Sequence, residues 1–86
     1  MASIEEVRAG ISLATQKAEE SLGALQQAQS HLEEAQGSLT RVTEGSGQSD
    51  AQEANAQLQQ AVSSISEVQQ LVRTAVSTAE GISQRL

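Results

Sequence analysis

The sequence predicts an all-α fold: an antiparallel two-helix coiled-coil hairpin that pairs into a four-helix bundle. Three observations lead to it, namely a seven-residue repeat of apolar residues, a short Gly- and Ser-rich interruption of that repeat, and the absence of proline from all 86 residues. We expect one domain, residues 1–86, with a helix over 3–44, a turn over 45–48 and a helix over 49–86.

The first helix is predicted from apolar residues spaced alternately three and four positions apart. In a coiled coil these residues form columns a and d of the heptad and face the partner helix. Ser3 and Glu6 have the spacing of a capping box, which predicts where the helix begins. Column a comprises Ile4, Ile11, Ala18, Leu25, Leu32 and Leu39, and column d comprises Val7, Ala14, Ser21, Ala28, Ala35 and Val42.

The repeat stops at TEGSGQSD, residues 43–50, which predicts a turn. Gly45 is placed to end the first helix in the left-handed conformation, and Ser49 or Asp50 can cap the second. A short connection makes two long helices antiparallel neighbours. In the second helix column a comprises Ala51, Leu58, Ile65, Val72, Ala79 and Leu86, and column d comprises Ala54, Ala61, Val68, Ala75 and Ile82.

Pairing a with d across the hairpin predicts layers whose two residue numbers add to 93, for example Leu32 with Ala61. The layers near the turn each set a large residue against a small one, which would fill the seam at constant width. They are Val42 with Ala51, Leu39 with Ala54, Ala35 with Leu58, Leu32 with Ala61, and Ala28 with Ile65.

Apolar residues outside these two columns predict a second interface, centred on an e-column stripe of Leu22, Val62 and Val76. Leaving such side chains in water forgoes roughly 1.5 to 3 kcal/mol each. Layers of small residues lie beside the stripe, and Ala24 and Leu71 occupy column g. We expect a second copy of the chain, or a paralogous hairpin, to contact Leu22, Val62, Leu71, Val76, Ala14, Ala18, Ala75 and Ala79. The alternative is a scatter of surface aliphatics, which is common.

Composition excludes several classes of function. The net charge of -6 repels nucleic-acid phosphates, and the chain has no Cys, Phe, Tyr or Trp for thiolate chemistry or base stacking. The first ten residues, MASIEEVRAG, contain acidic residues and no apolar run. We therefore expect no membrane span, no secretory signal and a cytoplasmic location.

No catalytic, cofactor-binding or metal-binding residues are predicted. His31 has no second imidazole near it, and a two-helix rod offers no concave site. Paired glutamates recur every fourteen residues and predict a solvated acidic face, with a docking strip for a basic partner as the alternative. Gly10, Gly23 and Gly37 sit on outer positions, where close approach of a partner is our hypothesis.

The motifs SIEEVRAGI, LGALQQAQSHLEEAQ, TEGSGQ and AEGISQRL together span nearly the whole chain. In them the chain resembles short actinobacterial helical hairpins found at the N-terminus of polymorphic-toxin deaminases and as stand-alone proteins. The resemblance implies a trafficking or assembly module, similar in architecture to the WXG100 proteins of type VII secretion, and export by such a route. The chain lacks their Trp-x-Gly at the turn and has Ile82 where we expect an aromatic residue.

These patterns predict a non-enzymatic interaction module: a dimerising hairpin that acts as adaptor, chaperone or export partner for a larger, toxin-type protein. The alternative is a structural coiled coil or filament subunit. A signalling coil like those of chemoreceptors is a third reading, but such rods are far longer and join to a sensor.

Overall fold

The computed structural model describes residues 2–45, 47 and 49–86, which form two long helices side by side. Helix α1 spans Ile4–Thr43 and helix α2 spans Ser49–Arg85. The molecule measures 64 × 18 × 15 Å, as expected for a helix of 40 residues rising about 1.5 Å per residue. The predicted all-α helical hairpin is confirmed, with helix ends within one residue of those expected.

Both predicted signals at the ends of α1 are present. The Ser3 hydroxyl accepts a hydrogen bond from the backbone N–H of Glu6 at 3.1 Å, which satisfies one of the free donors of the first turn. Gly45 has φ +80° and Gly47 has φ +67°, the left-handed conformation that glycine adopts without steric cost. Residues 46 and 48 of the predicted turn lie outside the described residues.

Among the described residues, three side-chain hydrogen bonds cross between the helices and define their register. In each pair the residue numbers add to 95. Each bond joins column e of one helix to column b of the other. The bonds run from Gln36 Nε2 to Gln59 Oε1 at 3.1 Å, from Asn55 Nδ2 to Thr40 Oγ1 at 3.1 Å, and from Gln69 Nε2 to Gln26 Oε1 at 3.5 Å.

The seam between the helices is centred on columns a and e, whereas the sequence predicted a and d. The two most buried residues, Val62 at 8% exposed and Gln69 at 6%, both belong to column e. Column d is only partly covered, since Val42 is 80% exposed and Ala35 is also exposed. Val42 is therefore not packed in the layer predicted with Ala51.

Replacing column d by column e in the seam requires only a small rotation of each helix. At 100° per residue, column d lies about 60° to one side of column a, and column e lies about 40° to the other side. A small rotation of the helix about its axis therefore exchanges them. It covers Leu22, Val62 and Val76 of column e, and it leaves Val42, Val68 and Ile82 of column d exposed. The glutamines of column e keep their amides at the edge of the seam, where they bond across.

Candidate interaction surface

The rotation leaves one side of the hairpin apolar and the other polar. In an antiparallel pair the same heptad columns of both helices flank the seam on the same side. We call columns d and g the apolar face, and columns b, c and f the polar face. The exposed aliphatic residues of the apolar face are Ala14, Ala24, Ala35 and Val42 of α1, and Val68, Leu71, Ala75 and Ile82 of α2.

Larger side chains on the apolar face stand open to water. Leu71 is 70% exposed, Val68 43% and Ile82 41%, and all three belong to α2. Ile4, Leu13 and Leu86 are also exposed, but they lie outside columns d and g. The aliphatic residues of the apolar face thus follow the length of the hairpin along one side, with polar residues of column g, such as Lys17 and His31, beside them.

Nearly all carboxylates lie away from the apolar face. Of the 11 acidic residues, only Asp50 falls in columns d or g. The glutamate pairs, such as Glu19 and Glu20, occupy columns b and c and are exposed. The three hydrogen bonds that define the register also run along the b side. The polar face is therefore the solvated side, and the apolar face is close to neutral.

The hairpin exposes more surface than its mass predicts. A compact monomer of 9.0 kDa would expose about 4,900 Å², whereas this chain exposes 6194 Å². Among the described residues Val62 is the only buried aliphatic side chain. The excess of roughly 1,300 Å² exceeds the 800 Å² or so that each partner buries in a standard protein interface.

The eight residues expected at a second interface fall into three groups. Val62 lies inside the hairpin, so its expected place on an outer stripe is corrected: it belongs to the seam. Leu22, Val76, Ala18 and Ala79 are half-buried in columns a and e. Leu71, Ala14 and Ala75 are exposed on the apolar face and accessible to a partner.

Sequence reasoning missed Val68, Ile82, Ala35 and Val42 as surface residues. Their heptad position assigned them to the interior, and only their exposure in the folded hairpin shows otherwise. The composition of the columns offered no signal for this outcome, because ten of the 11 residues in column d are apolar and only three of the 11 in column e.

The remaining polar groups form no concentrated site in the part of the chain that the structure describes. No group of three or more potential metal ligands lies together among residues 2–45, 47 and 49–86. His31 is exposed and lies 3.8 Å from the Glu34 carboxylate. A Cβ built on Gly10, Gly23 or Gly37 would have no neighbour within 4 Å. None of the helices, as far as their residues are described, is long and apolar enough to cross a membrane.

Comparison of the chain with protein-family models, with curated proteins and with solved structures finds no match.

Proposed function

We propose that this chain is a non-enzymatic protein–protein interaction module that binds helical partners through its apolar face. The single observation that carries the proposal is the row of exposed aliphatics along columns d and g, from Val42 to Ile82. Rows of this kind on a helix are typical of contacts with other helices, because each aliphatic side chain can enter a gap between residues of the facing helix.

The two faces suit this role together. The polar face carries ten of the 11 acidic residues and keeps the rod dispersed in water. The charged residues of the apolar face, Asp50, Lys17 and Arg85, all lie in column g at its edge, so a partner helix can cover column d without burying an unpaired charge. The resemblance to actinobacterial hairpins supports the narrower proposal that the module is an adaptor, chaperone or export partner for a larger toxin-type protein.

Capture of partners from the source cells tests the proposal. A tagged wild-type chain is compared with Leu71→Glu, which places a charge on the apolar face, and with Gln70→Glu, which adds the same charge on the polar face. Both positions are exposed, so both variants should fold. We expect bound proteins with wild type and with Gln70→Glu, and at least a tenfold loss with Leu71→Glu.

The size of the purified chain separates this proposal from a filament subunit. A closed assembly keeps one mass over a hundredfold range of concentration, whereas a filament grows with concentration. Continuous growth in light scattering would favour the structural role. The interaction module would be refuted if the chain is a monomer and Leu71→Glu removes none of the proteins that the wild-type chain captures.

A further inference from the structure

We infer that the apolar face is built to receive a second copy of this chain, with the turns of both hairpins at the same end. In this dimer α2 of each chain stacks on α1 of the other, and the twofold axis runs along the rod. The inference rests on the proposed function and names the partner of the same face.

The register of the hairpin fixes which residues would meet. The hydrogen bonds between the helices join side chains whose residue numbers add to 95, and this sum identifies residues at the same height to within about two positions. A twofold axis along the rod keeps every residue of the second copy at its own level. The α2 residues of one chain therefore come to lie over the α1 residues at the same level in the other chain.

At these levels each large side chain meets a small one. Leu71 lies level with Ala24, since their numbers add to 95. The numbers of Val68 and Ala28, and those of Ile82 and Ala14, add to 96, so these pairs are level to within one residue. Near the turn the sizes are reversed, because Val42 of α1 lies level with Ala54 of α2, again within one residue. Large residues over alanines fill an interface at constant thickness, as layers do in a protein core.

Polar residues of the apolar face also meet polar residues. His31 lies level with Ser64, Lys17 with Thr78, and Ser38 with Gln57. These pairs occupy column g, at the edge of the face, where water can reach them.

The opposite arrangement, with the turns at different ends, matches less well. It stacks α1 on α1 and α2 on α2. Near the middle of the rod, Ala24 would then face alanines of the other α1, while Leu71 and Val68 would crowd against the same residues of the other α2. Layers of two small residues leave voids and layers of two large residues are overpacked, and both destabilise.

Area and charge both fit a second copy. The face has an outline of 64 by 18 Å, so a copy laid along it would cover on the order of 1,000 Å² on each chain, compared with roughly 800 Å² per partner in a standard interface. Two chains of net charge -6 would repel each other, yet their carboxylates point away from the contact, apart from Asp50. Screening at physiological salt limits repulsion across the rods to about 8 Å.

Distances between spin labels test the arrangement on a chain that contains no native cysteine. Gln52→Cys carries a nitroxide near the turn, and Gln70→Cys carries one near the middle of the rod, both on the polar face. With the turns together, the two Gln52 labels should be separated by about twice the 15 Å thickness of one hairpin. With the turns at opposite ends, they should be separated by nearly the full 64 Å length of the rod. The Gln70 label is the matched control, because its separation should be short in either arrangement.

Light scattering on the same samples tests the pairing itself. We expect twice the chain mass of 9.0 kDa for the wild-type chain and for Gln70→Glu, and the monomer mass for Leu71→Glu. A wild-type monomer at high micromolar concentration, or Gln52 labels separated by nearly the length of the rod, would overturn the inference. If the wild-type chain is a monomer but still captures another protein through Leu71, the inference fails and the proposed function stands. If it is a monomer and captures no protein through Leu71, the inference and the proposed function both fail.

Discussion

The side-chain amide of Gln69 donates a hydrogen bond to the Gln26 carbonyl across the hairpin, at a nitrogen-to-oxygen distance of 3.5 Å. Gln69 is the least exposed residue described, at 6%, although its side chain is polar. A polar residue in a coiled-coil seam generally fixes register at a cost in stability, because it finds its partner in only one alignment. This pair therefore accounts for part of the specificity of a seam with little aliphatic bulk.

Replacing Gln69 by Leu tests that role. We expect Gln69→Leu to raise the free energy of unfolding by about 1 kcal/mol, because an aliphatic side chain replaces a buried amide. We also expect it to broaden the distribution of assembled masses, because the alignment is less restricted. Urea unfolding and light scattering measure the two effects. Gln70→Leu, on the exposed polar face, is the control, and a loss of stability in Gln69→Leu would contradict the prediction.

Val62 should be the aliphatic side chain most sensitive to truncation. At 8% exposed it lies in the seam, so Val62→Ala should lower the free energy of unfolding by about 1.5 kcal/mol through lost burial and a small cavity. Val42→Ala is the matched control, because Val42 is 80% exposed and its loss should cost less than about 0.5 kcal/mol. Thermal unfolding followed by circular dichroism compares the two. Equal losses would show that the seam does not contain column e.

The cap of α1 offers a local test. Ser3 accepts a hydrogen bond from the Glu6 N–H at 3.1 Å, and Ser3→Ala removes the acceptor. We expect a loss of about 1 kcal/mol in the free energy of unfolding, and only a few tenths for Ser3→Gly, since glycine is tolerated at this position. Hydrogen exchange of the first-turn amides should accelerate in Ser3→Ala. Unchanged exchange there would mean that water replaces the cap without cost.

Two glycines should respond to alanine with opposite signs. Gly45 has φ +80°, a conformation that costs an alanine roughly 1 kcal/mol, so Gly45→Ala should destabilise the turn. Gly23 lies inside α1 with nothing within 4 Å of a built Cβ, so Gly23→Ala should stabilise the helix by up to about 1 kcal/mol. Chemical unfolding of both variants provides the comparison. A destabilising Gly23→Ala would indicate that a partner approaches the backbone there.

Much of the fold was determined by the sequence. The heptad spacing, the capping serine at Ser3 and the glycine at Gly45 are local signals, and each depends on backbone geometry within a few residues. They therefore predicted two helices, their ends to within one residue and the turn between them. The sequence also places nearly all carboxylates in columns b, c and f, so it predicted the solvated face that contains Glu19 and Glu20.

Which column faces inward was decided by the tertiary structure. Columns d and e both lie beside column a, and a modest rotation of each helix exchanges them at little cost in backbone energy. The outcome depends on the summed burial of side chains from two helices at once. Val62 and Leu22 in column e are covered, while Val68 and Ile82 in column d are not. The same rotation leaves Val68, Leu71 and Ile82 in water, because a hairpin of two helices can cover only one side of each.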